Sequence, residues 1–220
     1  MTALAIYSSK GGSGKSTVSI HLAVAAGEMR RTVLIDADPQ RTVMMWAANR
    51  ALPQPQVLAS DPSGIEDALR RIAVDRQAVA IVDCPPHSVA GTARLLAAVD
   101  HIVIPVQPTM PDLAATQRAM TMVKAAGKPF SFVLSRVPVR SAEAAQALKI
   151  LDGFGPTVPS VIHDRRAFAR ALIESSAVTE VRRLDHLKAA NEIRAVWEWL
   201  QQKIKELDHV EVKSRFAAVC

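Results

Sequence analysis

The hydrophobic pattern of this chain alternates between short, uninterrupted apolar runs and longer stretches whose apolar residues recur at helical spacing. The short runs lie at 3–8, 32–36, 79–83, 101–106, 131–135 and 157–162 and have the length of strands. Helical stretches lie near 15–28, 40–50, 64–74, 88–98, 112–126, 141–152, 165–175 and 186–207. Runs that are apolar at every position, such as Val79-Ala80-Ile81-Val82, suit strands covered on both faces. The pattern therefore predicts a doubly wound α/β fold with a mostly parallel sheet and helices on both faces. In the last helical stretch, Ile193, Trp197, Leu200, Ile204 and Leu207 are spaced four, three, four and three, which places them on one stripe. A helix docked on its own domain is the expected reading. A membrane-surface helix should be basic on its polar face, and this one mixes Glu and Lys.

The chain has 220 residues, 49% of them hydrophobic, enough for one sizeable core, and no long Gly/Ser/Pro-rich stretch divides it. One domain over residues 1–208 is expected, followed by a tail over 209–220 that need not be ordered. Two cysteines, Cys84 and Cys220, suggest neither a disulfide framework nor a metal cluster. No apolar run approaches the roughly 18 residues that span a bilayer. A soluble intracellular protein is the expectation.

Between the first strand and the first helix stands Ser9-Lys10-Gly11-Gly12-Ser13-Gly14-Lys15-Ser16. Its glycines let the backbone curl so that N–H groups and a helix N-terminus face one anion. The phosphate-loop pattern G-x-x-x-x-G-K-[ST] is met except at its first position, where Ser9 stands. Lys15 is placed to reach the β- and γ-phosphates and Ser16 to ligate Mg²⁺. Gly11, Gly12, Ser13, Gly14 and Thr17 complete the cradle. The fold expectation narrows to a P-loop NTPase.

Carboxylates follow at two strand ends. Thr32-Val33-Leu34-Ile35 delivers Asp36, with Asp38 two residues on, and Val79-Ala80-Ile81-Val82 delivers Asp83. Strands often end in Asp because it suits turns. Three such residues behind a phosphate loop, at the strand ends where open α/β sheets bind ligands, argue instead for one site. Ser16, Asp36 and Asp83 are the metal candidates.

Lys10–Ser16, Asp36-Ala37-Asp38-Pro39-Gln40, Ile81-Val82-Asp83-Cys84-Pro85-Pro86 and Ile102–Pro108 together resemble the deviant Walker A ATPases, and most closely the ParA partition ATPases. The likeness covers roughly residues 1–175, in the small form that begins directly with the first strand. It implies an ATP-bound sandwich dimer in which Lys10 crosses to the partner's nucleotide as a fixed positive charge. Asp38 matches the aspartate that positions the attacking water, so Lys10, Lys15 and Asp38 form the implied catalytic set, with ATP and Mg²⁺ as cofactors. Arg136, after Phe132-Val133-Leu134-Ser135, resembles the strand-end contact to the adenine region, although strand-end arginines are common. In the family, Gln40 is often followed by glycine; here Arg41 changes the flexibility and charge of that segment.

Lysine and arginine number 27 against 21 acidic residues, a net charge of +6 that suits a polyanionic partner. The family resemblance implies non-specific DNA binding by the ATP dimer, through phosphate contacts and hence salt-sensitive. Arg165, Arg166 and Arg170 are the candidate contacts. Aromatic residues are only 4% of the chain, which argues against a base-stacking platform. The resemblance further implies weak intrinsic turnover, a ParB-like or other adaptor that stimulates hydrolysis, and a cytoplasmic, nucleoid-associated location. The alternatives are a MinD-like membrane-cycling ATPase and a cofactor-biosynthesis ligase on the same loop.

Overall fold

A computed structural model describes residues 1–86 and 90–217, with side chains up to residue 206. Among the described residues, the strands β1 (Thr2–Ile6), β2 (Thr32–Asp36), β3 (Gln56–Ala59), β4 (Val79–Asp83), β5 (His101–Val106) and β6 (Phe130–Leu134) form one sheet in the order β3-β2-β4-β1-β5-β6. Every neighbouring pair is parallel. The helices between and after them are α1 (Lys15–Gly27), α2 (Thr42–Ala47), α3 (Ile65–Ile72), α4 (Thr92–Ala98), α5 (Met110–Ala126), α6 (Glu143–Asp152), α7 (Arg166–Ile173) and α8 (Leu184–Ala217).

Strand residues alternate between two apolar layers, because successive side chains leave a strand on opposite faces. Leu4, Ile6, Val79 and Ile81 pack with α1, α7 and α8. Ala3, Ala5, Ala80 and Val82 pack with α3, α4, α5 and α6. Strands β2, β4 and β5 are buried along their whole length, as the uninterrupted apolar runs required.

The expected strand at 157–162 is not one. Pro159 lacks a backbone N–H, and the segment bonds the edge of β6 only discontinuously, at the Phe132–Thr157 bridge and again where Ile162 N donates to the Leu134 carbonyl at 2.9 Å. The sixth strand is instead β3, at the opposite edge. Its four residues are half-exposed and follow Pro53 and Pro55, so neither length nor periodicity marked them. Helix α8 runs beyond the expected end at 207: residues 209–217 have helical backbone, in a stretch with no glycine or proline to stop it. Residues 218–220, including Cys220, lie outside the described residues, as do 87–89 at the start of the helix expected at 88–98. Ile193, Trp197, Leu200 and Ile204 are buried in the layer shared with α1, as the docked reading of the stripe expected. No described helix is long and apolar enough to cross a membrane.

Chain direction carries β1 to β2 on one side, back through β4, and then to β5 on the other side. Ligands of such sheets bind outside the carboxyl ends of the strands at this reversal. Ile6 of β1 and Asp36 of β2 both stand in register with Asp83 of β4, so three strand ends open onto one crevice.

Candidate functional site

The loop leaving β1 turns under α1 through two residues in the left-handed region, Gly12 (φ 74°) and Gly14 (φ 90°), a conformation open to glycine at little cost. Gly14 caps α1. No side chain caps this helix and no acidic residue stands in its first turn, so its N–H groups and positive end face the crevice unopposed. Two side chains hold the loop from the β5 and β6 ends: Gln107 Nε2 and Arg136 Nη1 donate to the Gly12 carbonyl at 2.7 and 3.2 Å. Ser135 Oγ donates to the Ser13 carbonyl at 3.0 Å.

The two loop lysines point to different places. Lys15 is buried and its Nζ closes onto the Lys10 carbonyl at 3.3 Å. Burial pulls its ammonium below the ordinary lysine value, opposed by the charges of Asp83 and then Asp38. Lys10 turns away from this crevice. Its Nζ donates to Asp112 Oδ2 at 2.7 Å, and Asp112, buried in the first turn of α5, also accepts from the Thr109 hydroxyl.

A cleft of about 530 Å³ opens above the loop, lined by Gly11, Gly12, Gly14, Lys15, Ser16, Thr17, Asp38, Gln40, Thr42, Pro86 and Arg136. The predicted phosphate cradle and Asp38 therefore meet in one space. Asp38 Oδ1 accepts from Gln40 N at 2.9 Å. Asp83 is fully buried; Oδ1 accepts from Ser19 Oγ at 2.9 Å, while Oδ2 lacks a protein hydrogen-bond partner. Burial pushes its carboxyl up to about 7, against the opposing pulls of the Ser16 and Ser19 hydroxyls and of Lys15. A buried carboxylate oxygen without a donor, beside the Ser16 hydroxyl and an uncapped helix end, suits a divalent cation carried in with a polyphosphate.

Asp36, expected near the metal, stands in register with Asp83 and also shapes the backbone. Both of its oxygens are taken by backbone, Oδ1 by Asp38 N at 3.2 Å and Oδ2 by Met44 N at 2.9 Å, so it shapes the turn that carries Asp38. Burial raises its carboxyl above the ordinary value, and these two amides partly offset that. Among the described residues, no group of three His, Cys, Asp or Glu side chains could hold a metal alone. Cys84, beside Asp83, is a buried thiol pushed well up by burial, as a packing residue should be.

Arg136 sits between this cleft and a second cavity of about 230 Å³, whose far wall runs from Ile162 to Arg165 and on to Phe168. Arg165 belongs to that wall rather than to a free surface. Its Nε and Nη2 donate to Glu192 Oε1 at 2.9 and 2.6 Å, and His163 Nδ1 lies 2.8 Å from the same oxygen. Arg165, expected as a DNA contact, is paired to a carboxylate 27 positions away and is only partly exposed. Arg166 and Arg170 are exposed, and Arg170 pairs with Asp185 at 2.9 Å. Arg182 and Arg183 are exposed as well, on the segment leading into α8.

A parallel sheet with a glycine-rich loop and uncapped helix at its switch point defines a nucleotide-binding protein of the P-loop NTPase fold. Residues 4–178 match the CobQ/CobB/MinD/ParA nucleotide binding domain family, and the chain belongs to it. It is similar to the "maintenance of carboxysome distribution protein A" of Halothiobacillus neapolitanus, 30% identical over 81% of this chain and 87% of the relative. The protein of the same description from Gloeobacter kilaueensis is 31% identical, over 90% of this chain and 94% of the relative. The solved ATP complex of McdA from Cyanothece superposes with a TM-score of 0.73 at 18% identity, covering 91% of this chain and 96% of that one.

Proposed function

We propose that this protein is a ParA-type positioning ATPase, cycling between a monomer and an ATP-bound homodimer that moves a large cargo along DNA. The observation that carries this reading is the opposed placement of the two loop lysines. Lys15 lines the cleft with Ser16 and Asp38, with Asp83 buried behind them, whereas Lys10 points out to Asp112 and does not line that cleft. A lysine held at the mouth of a phosphate loop and facing away from it is available to a second copy.

In this reading ATP enters with Mg²⁺, which would be held by Ser16 and by Asp83 behind it, and which supplies charge neutralisation on the phosphates. Lys15 and the amides of Gly11–Thr17 bind the β- and γ-phosphates. The second cavity, beside Arg136, takes the nucleoside end. Asp38 orients water, and Lys10 of each copy stabilises charge in the other's cleft. The exposed arginines Arg166 and Arg170, joined by Arg182 and Arg183, supply phosphate contacts to DNA. An adaptor protein, ParB-like in role, accelerates hydrolysis and release. The names of the two relatives favour a protein assembly as cargo over a plasmid. Burial of the α8 stripe in the core argues against the MinD-like membrane reading.

The test is mass measurement of the purified chain with ATP, ADP and no nucleotide, in the presence of Mg²⁺. A dimer only with ATP is expected. A monomer under all three conditions would remove the proposed cycle.

A further inference from the structure

We infer that Arg41 is a positioning residue for Asp38, a strut that holds the turn after β2 in working shape and joins it to the segment after β3. The inference rests on the ATPase reading of Asp38 given above.

Arg41 is the N-cap of α2 and has φ 53° and ψ 33°, the left-handed region. Glycine enters this region freely and an L residue does so only against steric resistance. What arginine adds is its side chain. Nη1 donates to the Asp36 carbonyl at 2.7 Å and to the Ser60 carbonyl at 3.2 Å, and Nη2 donates to Asp61 Oδ1 at 3.1 Å. Asp61 is largely exposed, so solvent weakens that ion pair. The two carbonyls, at the ends of β2 and β3, are the firmer anchors.

The main chain of Arg41 closes the same turn, with its N–H on the Asp38 carbonyl at 2.9 Å. Asp38 is thus held from one side by the Asp36 carboxylate, which accepts from its N–H, and from the other by Arg41. Without the guanidinium these main-chain bonds remain, but the turn loses its ties to the Asp36 and Ser60 carbonyls and is free to shift against the ends of β2 and β3. The turn that follows Ser60 presses Ser63 N and Pro62 C to within 3.0 and 3.1 Å of where a Cβ on Gly91 would stand. Gly91 opens α4, behind the segment that begins at Asp83. One side chain therefore ties the turn that carries Asp38 to the segment that leaves β3.

The experiment compares the full-length wild type with Arg41→Gly, Arg41→Lys and Asp38→Ala. Arg41→Gly removes the strut and relieves the backbone, so folding is not the obstacle. Hydrogen exchange of the nucleotide-free protein reads the turn directly, and steady-state hydrolysis with Mg²⁺ and ATP reads its consequence. In Arg41→Gly the amides from Gln40 to Met45 should exchange about ten-fold faster, a local opening rather than a global one. Its kcat should fall about ten-fold with KM for ATP held within about two-fold, because the misplaced group is Asp38 and not the phosphate cradle. Arg41→Lys should recover part of both, since it keeps the charge but loses the planar fork. Unchanged exchange in Arg41→Gly, or a change in KM alone, would overturn the inference. Wild-type turnover by Asp38→Ala would refute the role of Asp38 itself, and exchange would then judge the strut separately.

Discussion

Replacing Asp112 by asparagine should make the protein dimerise more readily with ATP. Asparagine keeps an acceptor for the Thr109 hydroxyl but loses the charge that holds Lys10 at 2.7 Å. A charged hydrogen bond of this kind contributes roughly 1.5–3 kcal/mol when well buried. Asp112 is 3% exposed, but Lys10 is 40% exposed, and screening at the lysine reduces the figure to about 1 kcal/mol. A dimer in which each Lys10 crosses to the partner must open two such pairs. The variant therefore saves about 2 kcal/mol, or roughly a thirty-fold lower dimer dissociation constant. Sedimentation velocity over a protein concentration series, with saturating ATP and Mg²⁺, measures this directly. Superimposed curves would show that the Lys10–Asp112 pair does not restrain the lysine. A weaker dimer in the variant would show that Asp112 serves the closed state instead.

The other loop and strand-end residues make separable predictions. Lys15→Ala should abolish ATP binding in a calorimetric titration, whereas Lys10→Ala should bind ATP normally and lose both dimerisation and turnover; dimers of Lys10→Ala would refute the crossing role. Asp83 has a folded value of about 7 against 3.8 for the free group, so the folded protein retains a proton that the unfolded chain releases between those values. Its contribution to stability accordingly falls as pH rises from about 4 to 7 and is level above that. Asp83→Asn should raise the Tm of the nucleotide-free protein, most clearly at pH 8, while weakening Mg²⁺-dependent ATP binding. A lower Tm for the variant at pH 8 would mean that the ionised carboxylate supports the fold.

Much of this site could be read from residues close together in the chain. The phosphate loop, Asp36, Asp38 and Asp83 each follow an apolar run, and a parallel sheet delivers such run ends to one crevice. The α8 stripe was legible for a similar reason, since helical spacing alone puts its residues on one face. What escaped was set by contacts between distant segments. Asp112 lies 102 positions from Lys10, and Glu192 lies 27 from Arg165. Neither carboxylate carries a local mark of its partner, so Arg165 read as a surface cation. Strand β3 escaped because an edge strand of four half-exposed residues has no apolar pattern, and its pairing with β2 comes only from the assembled sheet. The segment at 157–162 misled in the opposite sense: it bonds the edge of β6 at Val158 and Ile162 but too irregularly to form a strand. Arg41 was visible as a departure from glycine, but its three acceptors belong to Asp36, Ser60 and Asp61 and emerge only once β2 and β3 are side by side.

In the function proposed above, ATP creates a DNA-binding form of this protein. The most direct test is fluorescence anisotropy of a duplex of arbitrary sequence with ATP, ADP or no nucleotide, repeated across salt concentrations, with anionic liposomes as the parallel surface. Binding to DNA only with ATP, weakening linearly in log affinity against log salt, is the predicted result. DNA binding indifferent to nucleotide, or ATP-dependent binding to liposomes and not to DNA, would contradict it.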